Sequence, residues 1–303
     1  MDNLDRSGKA RNTLHPPPGH PDRWMEWSLS IAAGLSAAAI VCILFLLGFF
    51  CMPLLASGEI LRIFSWTWQP FHGHFGILPM CAVSLLLSVS ATSLAFPVAV
   101  GICCYANFLV PAGVGRLVLA LMHFMAGIPT VIYAFVSIFL LVPMVRDHLQ
   151  CGTGFSFFTA MLTLSLLILP TMVLVFNAHL QQADPILRLA AEAAGMNPVQ
   201  QVRHLLIPTA SRGLVIAAVL GFGRAVGDTM VSLMLAGNAP QLPGSPFDSV
   251  RTLTAHIALV ISTDSQSMAY QSVFASGLVL FFLLSTINLL IRRIGRRQGG
   301  AAS

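Results

Sequence analysis

The chain has 303 residues, of which 56% are hydrophobic and only 9% are charged, and its formal net charge at pH 7 is +5. A soluble domain carries about a quarter charged residues, so this composition excludes a chain that covers itself with a water-facing surface. The mean hydropathy is +0.81, and the apolar residues form long continuous runs. We therefore predict an all-α membrane protein whose basic excess reflects membrane topology, with lipid and not nucleic acid around it.

The first 27 residues are polar and contain the proline-rich stretch HPPPGHPDRW. This composition indicates a disordered cytoplasmic tail. The apolar run that follows is roughly twice as long as the core of a signal peptide, and no small-residue cleavage site comes after it. We therefore assign residues 1–27 to a tail and the following run to the first transmembrane helix.

Six apolar runs are near or above the roughly 20 residues that cross the hydrocarbon of a bilayer. Together they predict a six-helix domain over residues 28–293, followed by a short basic tail at 294–303. Several runs contain proline and glycine, which predicts bent helices packed around a cavity, although simple kinks would give the same pattern. The predicted spans are 28–55, 77–104, 116–144, 155–180, 213–237 and 269–291.

Lysine and arginine in the loops predict the orientation, because cytoplasmic loops carry an excess of both. Of the sixteen such residues, twelve lie on the side that holds the two termini and the second and fourth loops. The other side carries three: Arg62, Arg146 and Arg251. This bias places both the N-terminus and the C-terminus in the cytoplasm. The sixteenth residue, Arg224, lies inside the fifth predicted span.

The fourth loop, residues 181–212, is the longest predicted cytoplasmic connection between spans. Two short helices are predicted in it, over 184–195 and 197–208, because each begins with an Asp-Pro or Asn-Pro capping signal. Glycine ends the first of them and proline ends the second. Two helices with defined starts fit either a docking element or a connector that lies on the membrane surface.

The stretch LAAEAAGMNPVQQVRHLLIP (189–208) resembles the cytoplasmic signature of ABC importer permeases, which is Glu-Ala-Ala, three residues, Gly, nine residues, then Ile-x-Leu-Pro. Leucine stands at 189 where the signature has glutamate, and the nearest acid is Glu192. The resemblance implies that loop 181–212 contains the coupling helix, which inserts into a groove of the ATP-hydrolysing subunit. It implies that the coupling residues are Ala190, Ala191, Glu192, Gly195 and Pro208.

Four further stretches resemble the permeases of phosphate ABC importers, the C-type subunit more than the A-type. They are SLAFPVAVGICCYANFLVP (93–111), AGIPTVIYAF (126–135), GFGRAVGDTM (221–230) and AGNAPQLPGSPFDSVRTLTAHIAL (236–259). The whole resemblance covers residues 75–293. It implies the type I ABC importer permease fold with six transmembrane helices, in the bacterial plasma (inner) membrane.

The same resemblance implies a set of partners. They are a second permease subunit of the A type that completes a heterodimer, two ATPase subunits that bind ATP and Mg, and an exported phosphate-binding protein. No cofactor or metal is expected on this chain itself. It also lacks the GxxxxGK[ST] motif of an ATPase, since its single lysine, Lys9, is followed by alanine.

Arg224 and Asp228 are the charged residues of the fifth predicted span. At about 1.5 Å per residue, Arg224 lies roughly 16 Å from the start of the span near Gly213, close to the bilayer midplane. A charge there costs at least about 2.5–3.5 kcal/mol, and residues four apart on one helix can pair. The pair is expected either to contact an anion on the translocation path, with Thr229 as a hydroxyl donor, or to pack against a partner helix. The phosphate permeases have glutamate where this chain has Asp228.

Three other functions are compatible with a polytopic chain. An ABC permease for another oxyanion or solute would share the same architecture. A self-sufficient secondary transporter or channel would need coupling-ion sites in both halves of a repeat, and only one midplane charge cluster is found. An intramembrane enzyme would need a motif such as HExxH or GxSxG, which the sequence lacks.

Overall fold

The computed structural model describes residues 23–56, 63–148, 152–181, 191, 193–261 and 268–297. Its contacts divide the chain into two compact units, Met1–Phe49 and Phe50–Ser303. The described part of the first unit belongs to helix α1 (Arg23–Ala56), which begins five residues before the predicted span. Large apolar side chains are exposed along this part of α1, and Trp24 is 89% exposed. Such a helix requires apolar surroundings, which the hydrocarbon of a membrane supplies.

The second unit contains a short antiparallel hairpin and the other helices. The hairpin pairs strand β1 (Trp68–Gln69) with strand β2 (His74–Phe75). Among the described residues of this unit, the further α-helices of six or more residues are α2 (Leu78–Cys104), α3 (Ala112–Ala126), α4 (Thr130–Pro143), α5 (Phe157–Gln181), α6 (Ser211–Gly227), α7 (Met230–Leu235), α8 (Leu253–Val260) and α9 (Met268–Arg297). Single π-helical turns follow α2 and α4, at Tyr105–Leu109 and Met144–His148.

Helix α5 lies at the centre of the core, and α2 and α6 pack against it and against each other. Leu164, Ile168 and Met172 of α5 are fully buried. Small residues allow the close approach: a Cβ added to Gly221 of α6 would lie 2.7 Å from the side chain of Met172. Helices in membranes associate through close packing of this kind because lipid tails provide no hydrophobic driving force between them. On α2, alanines at a spacing of four are buried in the same core: Ala91, Ala95 and Ala99.

The predicted all-α membrane fold is confirmed. Among the described residues, four helices are long and apolar enough to cross a membrane: Trp24–Met52, Leu78–Leu109, Thr130–His148 and Phe157–Gln181. A fifth span is present if Gln201–Thr209 and Ser211–Gly227, which meet at a bend of 68°, count together. Helix α9 covers the last predicted run. The count of six spans and the cytoplasmic position of both termini stay predictions.

Two of the predicted spans are each divided into two helices. The run 116–144 forms α3 and α4, which are separated at residues 127–129. The run 213–237 forms α6 and α7, which are separated at Asp228 and Thr229. Proline in the first run predicts an interruption, whereas the fifth span was predicted to be continuous, and that prediction is wrong.

Candidate functional site

The fifth span breaks at Asp228, whose backbone is extended, with φ −74° and ψ 126°. Its carboxylate explains the break, because Oδ2 accepts a hydrogen bond of 2.8 Å from the backbone N–H of Val231. That N–H lies in the first turn of α7, where a helix leaves donors without a backbone partner. Aspartate competes with the main chain for such donors and thereby favours a helix start over a helix interior.

This break corrects the predicted pairing of Arg224 with Asp228, since the two residues are not on one continuous helix. Arg224 instead donates a hydrogen bond from Nη1 to Oγ1 of Thr171 on α5. Its side chain is half-buried, and its charge still interacts with the Asp228 carboxylate. Thr171 was not predicted as a site residue, because no motif links α5 to the fifth span; only the packing of α5 on α6 brings them together.

The backbone freed at the break is bonded by side chains. The carbonyl of Asp228 accepts hydrogen bonds from Oγ1 of Thr254 on α8 at 3.1 Å and from Oγ of Ser232 at 3.4 Å. Asp228 itself is only 8% exposed. Thr229, the third residue predicted for the path, is half-buried, and its carbonyl accepts from Leu233 at 2.9 Å. An irregular backbone at membrane depth requires such partners.

The break between α3 and α4 is closed by a residue that the sequence did not single out, Tyr133. Pro129 has no N–H, so the carbonyl of Met125 loses the donor of a regular α-helix and accepts instead from Ile128 N at 3.2 Å. The hydroxyl of Tyr133 donates to that carbonyl at 2.8 Å. Tyr133 also interacts electrostatically with Arg224, and α4 packs against α7. The position of tyrosine four residues after proline was the signal that could have identified it.

In the cytoplasmic loop, Gly195 and Asn197 have the predicted helix-end and helix-start conformations. Gly195 has φ +70°, and Met196 N bonds the carbonyl of Ala191 at 3.1 Å, the six-residue bond of a glycine C-cap. Asn197 and Gln200 exchange two hydrogen bonds, from Gln200 N to Asn197 Oδ1 at 2.9 Å and from Asn197 N to Gln200 Oε1 at 3.1 Å. This reciprocal pair is a capping box.

The other coupling residues have different surroundings. Ala191 is 4% exposed, whereas Pro208 is exposed and lies within the turn Ile207–Thr209, so it does not end the segment where predicted. Ala190 and Glu192 lie outside the described residues. The turn Pro198–Gln200 contacts the π-helical turn Tyr105–Leu109 at the end of α2. The loop therefore contacts the transmembrane core directly.

No group of three or more His, Cys, Asp or Glu side chains in the described part of the chain is placed to hold a metal ion. What the break offers instead is a guanidinium, a carboxylate and hydroxyls within a mainly apolar core. These are groups that bind and orient a hydrophilic anion.

The comparisons with known proteins agree with this architecture. Residues 97–299 match the family model of the binding-protein-dependent transport system inner membrane component. The chain is 30% identical to a probable ABC transporter permease protein, YqgH, from Bacillus subtilis, over 79% of this chain and 78% of that protein. It is also 30% identical to the phosphate transport system permease protein PstC of Mycobacterium leprae, over 75% of this chain and 77% of the relative.

Two solved structures share the fold at low sequence identity. An inward-facing MetNI methionine ABC transporter matches 76% of this chain and 99% of its own chain, with a TM-score of 0.58 and 19% identity. A bacterial ABC transporter involved in the import of alginate matches 89% and 99%, with a TM-score of 0.55 and 16% identity. The matched family model covers two thirds of the sequence, and the chain belongs to the family of inner membrane components of binding-protein-dependent transport systems.

Proposed function

We propose that this chain is the permease subunit of an ATP-driven importer that moves inorganic phosphate across the bacterial plasma membrane. The observation that carries the proposal is Arg224, a permanently charged side chain at the broken fifth span that forms no salt bridge with any residue the structure describes. Relatives at 26–30% identity, named as phosphate transport system permeases, support phosphate as the cargo.

The chemistry of Arg224 suits a tetrahedral oxyanion. Guanidinium binds such anions through two parallel hydrogen bonds and stays charged at every working pH. Since Nη1 is bonded to Thr171, the Nε and Nη2 donors remain for an anion, as neither has a hydrogen bond among the described residues. Thr171 holds the guanidinium in place without cancelling its charge.

Asp228 adds selectivity and release. Its Oδ2 is bonded to Val231 N, and within the described chain its Oδ1 receives no hydrogen bond. Oδ1 can therefore accept the hydroxyl of monohydrogen phosphate, which sulfate cannot provide at neutral pH. The carboxylate charge also repels the anion and keeps its residence short, as conduction requires. Thr229 supplies a hydroxyl at the same break.

Energy comes from other polypeptides in this proposal. The sequence has no P-loop, so ATP and Mg are bound by two separate ATPase subunits that dock on loop 181–212 through Ala190, Ala191, Glu192, Gly195 and Pro208. A second permease, of the A type, completes the pore, and a phosphate-binding protein delivers the anion to the external side. Both termini of this chain lie in the cytoplasm.

The test measures uptake of labelled phosphate by proteoliposomes that contain the complex purified with its partner subunits and the loaded receptor. We expect Arg224→Gln to lower the uptake rate about 10–100-fold, since a charged hydrogen bond contributes about 1.5–3 kcal/mol. The matched control is Arg146→Gln: Arg146 is paired with Asp147 at 2.8 Å, and both side chains are 55% exposed. The control should transport like the wild type.

Two results would contradict the proposal in different ways. If the wild-type complex imports another oxyanion but no phosphate, phosphate is refuted as the cargo. Normal phosphate uptake by an assembled Arg224→Gln complex would remove this break from the path while leaving the family assignment intact.

A further inference from the structure

Unbonded polar atoms cluster on the side of the molecule that the arginine bias predicts to be external. Among the residues that the structure describes, four buried side-chain nitrogen or oxygen atoms have no hydrogen-bond partner. Three of the four belong to Asn238 and His256; the other is Oγ1 of Thr92. Buried polar atoms of native proteins nearly always have partners, so this cluster requires a specific explanation.

Arg251 links the two residues. Its Nε donates to the backbone carbonyl of Asn238 at 2.7 Å, and its charge acts on His256. Within the described chain its Nη1 and Nη2 have no hydrogen-bond partner, and the side chain is half-buried. The amide of Asn238 is oriented by a bond of 2.7 Å from Nδ2 to the carbonyl of Leu233, which leaves Oδ1 as an acceptor. The cluster thus offers guanidinium donors, one imidazole N–H and one amide oxygen.

An aromatic side chain packs against His256. His256 is completely buried, and the Trp68 ring of β1 meets it edge to face, with centroids 4.3 Å apart. Trp68 also lines a cavity of about 390 Å³, together with residues that include Pro240 and Gln241. Trp68 therefore contacts both His256 and a space that is large enough for a small anion.

We propose that Arg251, Asn238 and His256 form a second, outer binding site for a protonated tetrahedral oxyanion, which occupies it before it reaches Arg224. The inference rests on the proposed function. Arg251 and the imidazole N–H donate to the anion oxygens, while Asn238 Oδ1 accepts the anion's hydroxyl. The site is connected to the break, because Thr254, three residues after Arg251, donates to the carbonyl of Asp228 at 3.1 Å.

The experiment uses the assembled complex in proteoliposomes, with inorganic phosphate delivered by the loaded receptor at several receptor concentrations. Phosphate uptake and ATP hydrolysis are both measured. We expect Arg251→Gln to reduce the phosphate imported per ATP hydrolysed at least fivefold, with no change in the receptor concentration that gives half-maximal ATP hydrolysis. Arg251→Lys, which keeps the charge but loses the forked donor pair, should fall between this variant and the wild type. Arg146→Gln is the matched control.

The other outcomes of the Arg251→Gln experiment would contradict the outer site. If Arg251→Gln leaves the amount of phosphate imported per ATP hydrolysed unchanged, the proposal is overturned. If, in addition, the receptor concentration for half-maximal ATP hydrolysis shifts, Arg251 belongs to receptor docking. If Arg251→Gln fails to assemble, His256→Phe decides, because it keeps a ring against Trp68 and removes both nitrogens; normal coupling in that variant also overturns the site. A wild-type complex that imports no phosphate refutes the proposed function itself.

Discussion

Substitutions can separate the capping role of Asp228 from its proposed role in binding the anion. Its Oδ2 accepts from Val231 N at 2.8 Å at the start of α7, and its Oδ1 is the acceptor proposed for the phosphate hydroxyl. Asp228→Ala removes both roles. Asp228→Asn keeps an oxygen for Val231 but places an NH₂ donor where the second oxygen was.

The magnitudes follow from these bonds. Alanine leaves the Val231 N–H unpaired in a buried position, which should lower the free energy of unfolding by about 2 kcal/mol. Asparagine should change it by less than about 1 kcal/mol, because the capping bond persists. Loss of the acceptor for the anion should cost about 1.5–3 kcal/mol in the transport step, which corresponds to a 10–100-fold slower uptake in both variants.

Thermal unfolding of the purified complex measures the first quantity, and phosphate uptake by proteoliposomes measures the second. We expect asparagine to affect uptake alone and alanine to affect both. Asp228→Glu keeps the carboxylate with one more methylene and should retain uptake if its reach is not critical. Wild-type uptake by Asp228→Asn, together with a loss confined to Asp228→Ala, would show that the carboxylate only caps α7.

The remaining predictions concern stability, and thermal unfolding of the purified complex tests each of them. Tyr133→Phe removes the 2.8 Å bond to the Met125 carbonyl and should lower the free energy of unfolding by about 1 kcal/mol. An unchanged midpoint of thermal unfolding would show that this bond does not stabilise the complex. Gly237→Ala places a Cβ 2.3 Å from Ser249 Oγ at a φ of +83°, so we expect a loss of at least about 1–2 kcal/mol. Burial, reinforced by the Arg251 charge, lowers the pKa of His256 from 6.5 to about 3. The unfolded chain therefore binds a proton at His256 more readily than the folded chain, so the folded state is most stable above pH 6.5 and loses stability as the pH falls. Between pH 7 and pH 5 this loss should be about 2 kcal/mol, and it should be absent from His256→Phe.

The features that the sequence predicted well depend on local chemistry. Apolar runs predicted the cores of α1, α2, α5 and α9, since only their length and hydropathy matter. Gly195 and Asn197 were assigned correctly as a helix end and a helix start, because capping needs only neighbouring residues. The family resemblance rested on short motifs of the same local kind.

The features that were missed depend on tertiary contacts. The Arg224–Asp228 pair was inferred from ideal helical spacing, which fails when the aspartate side chain takes a main-chain donor. The contact of Arg224 with Thr171, and that of Thr254 with Asp228, join segments that are distant in the sequence. The four-residue spacing cannot reveal whether a helix continues, and apolar residues are present on both sides of the break.

The two interrupted spans have a mechanical consequence. At residues 127–129 and at Asp228, the regular ladder of main-chain bonds is interrupted, and side-chain bonds take part of its place. Tyr133 bonds the Met125 carbonyl at the first gap, and Asp228, Thr254 and Ser232 supply three side-chain bonds at the second. The helices that follow the gaps, α4 and α7, pack against each other. Each gap can therefore act as a joint: a change of angle there exchanges side-chain bonds, each worth about 1 kcal/mol, whereas an unbroken helix would have to lose main-chain bonds to bend as far.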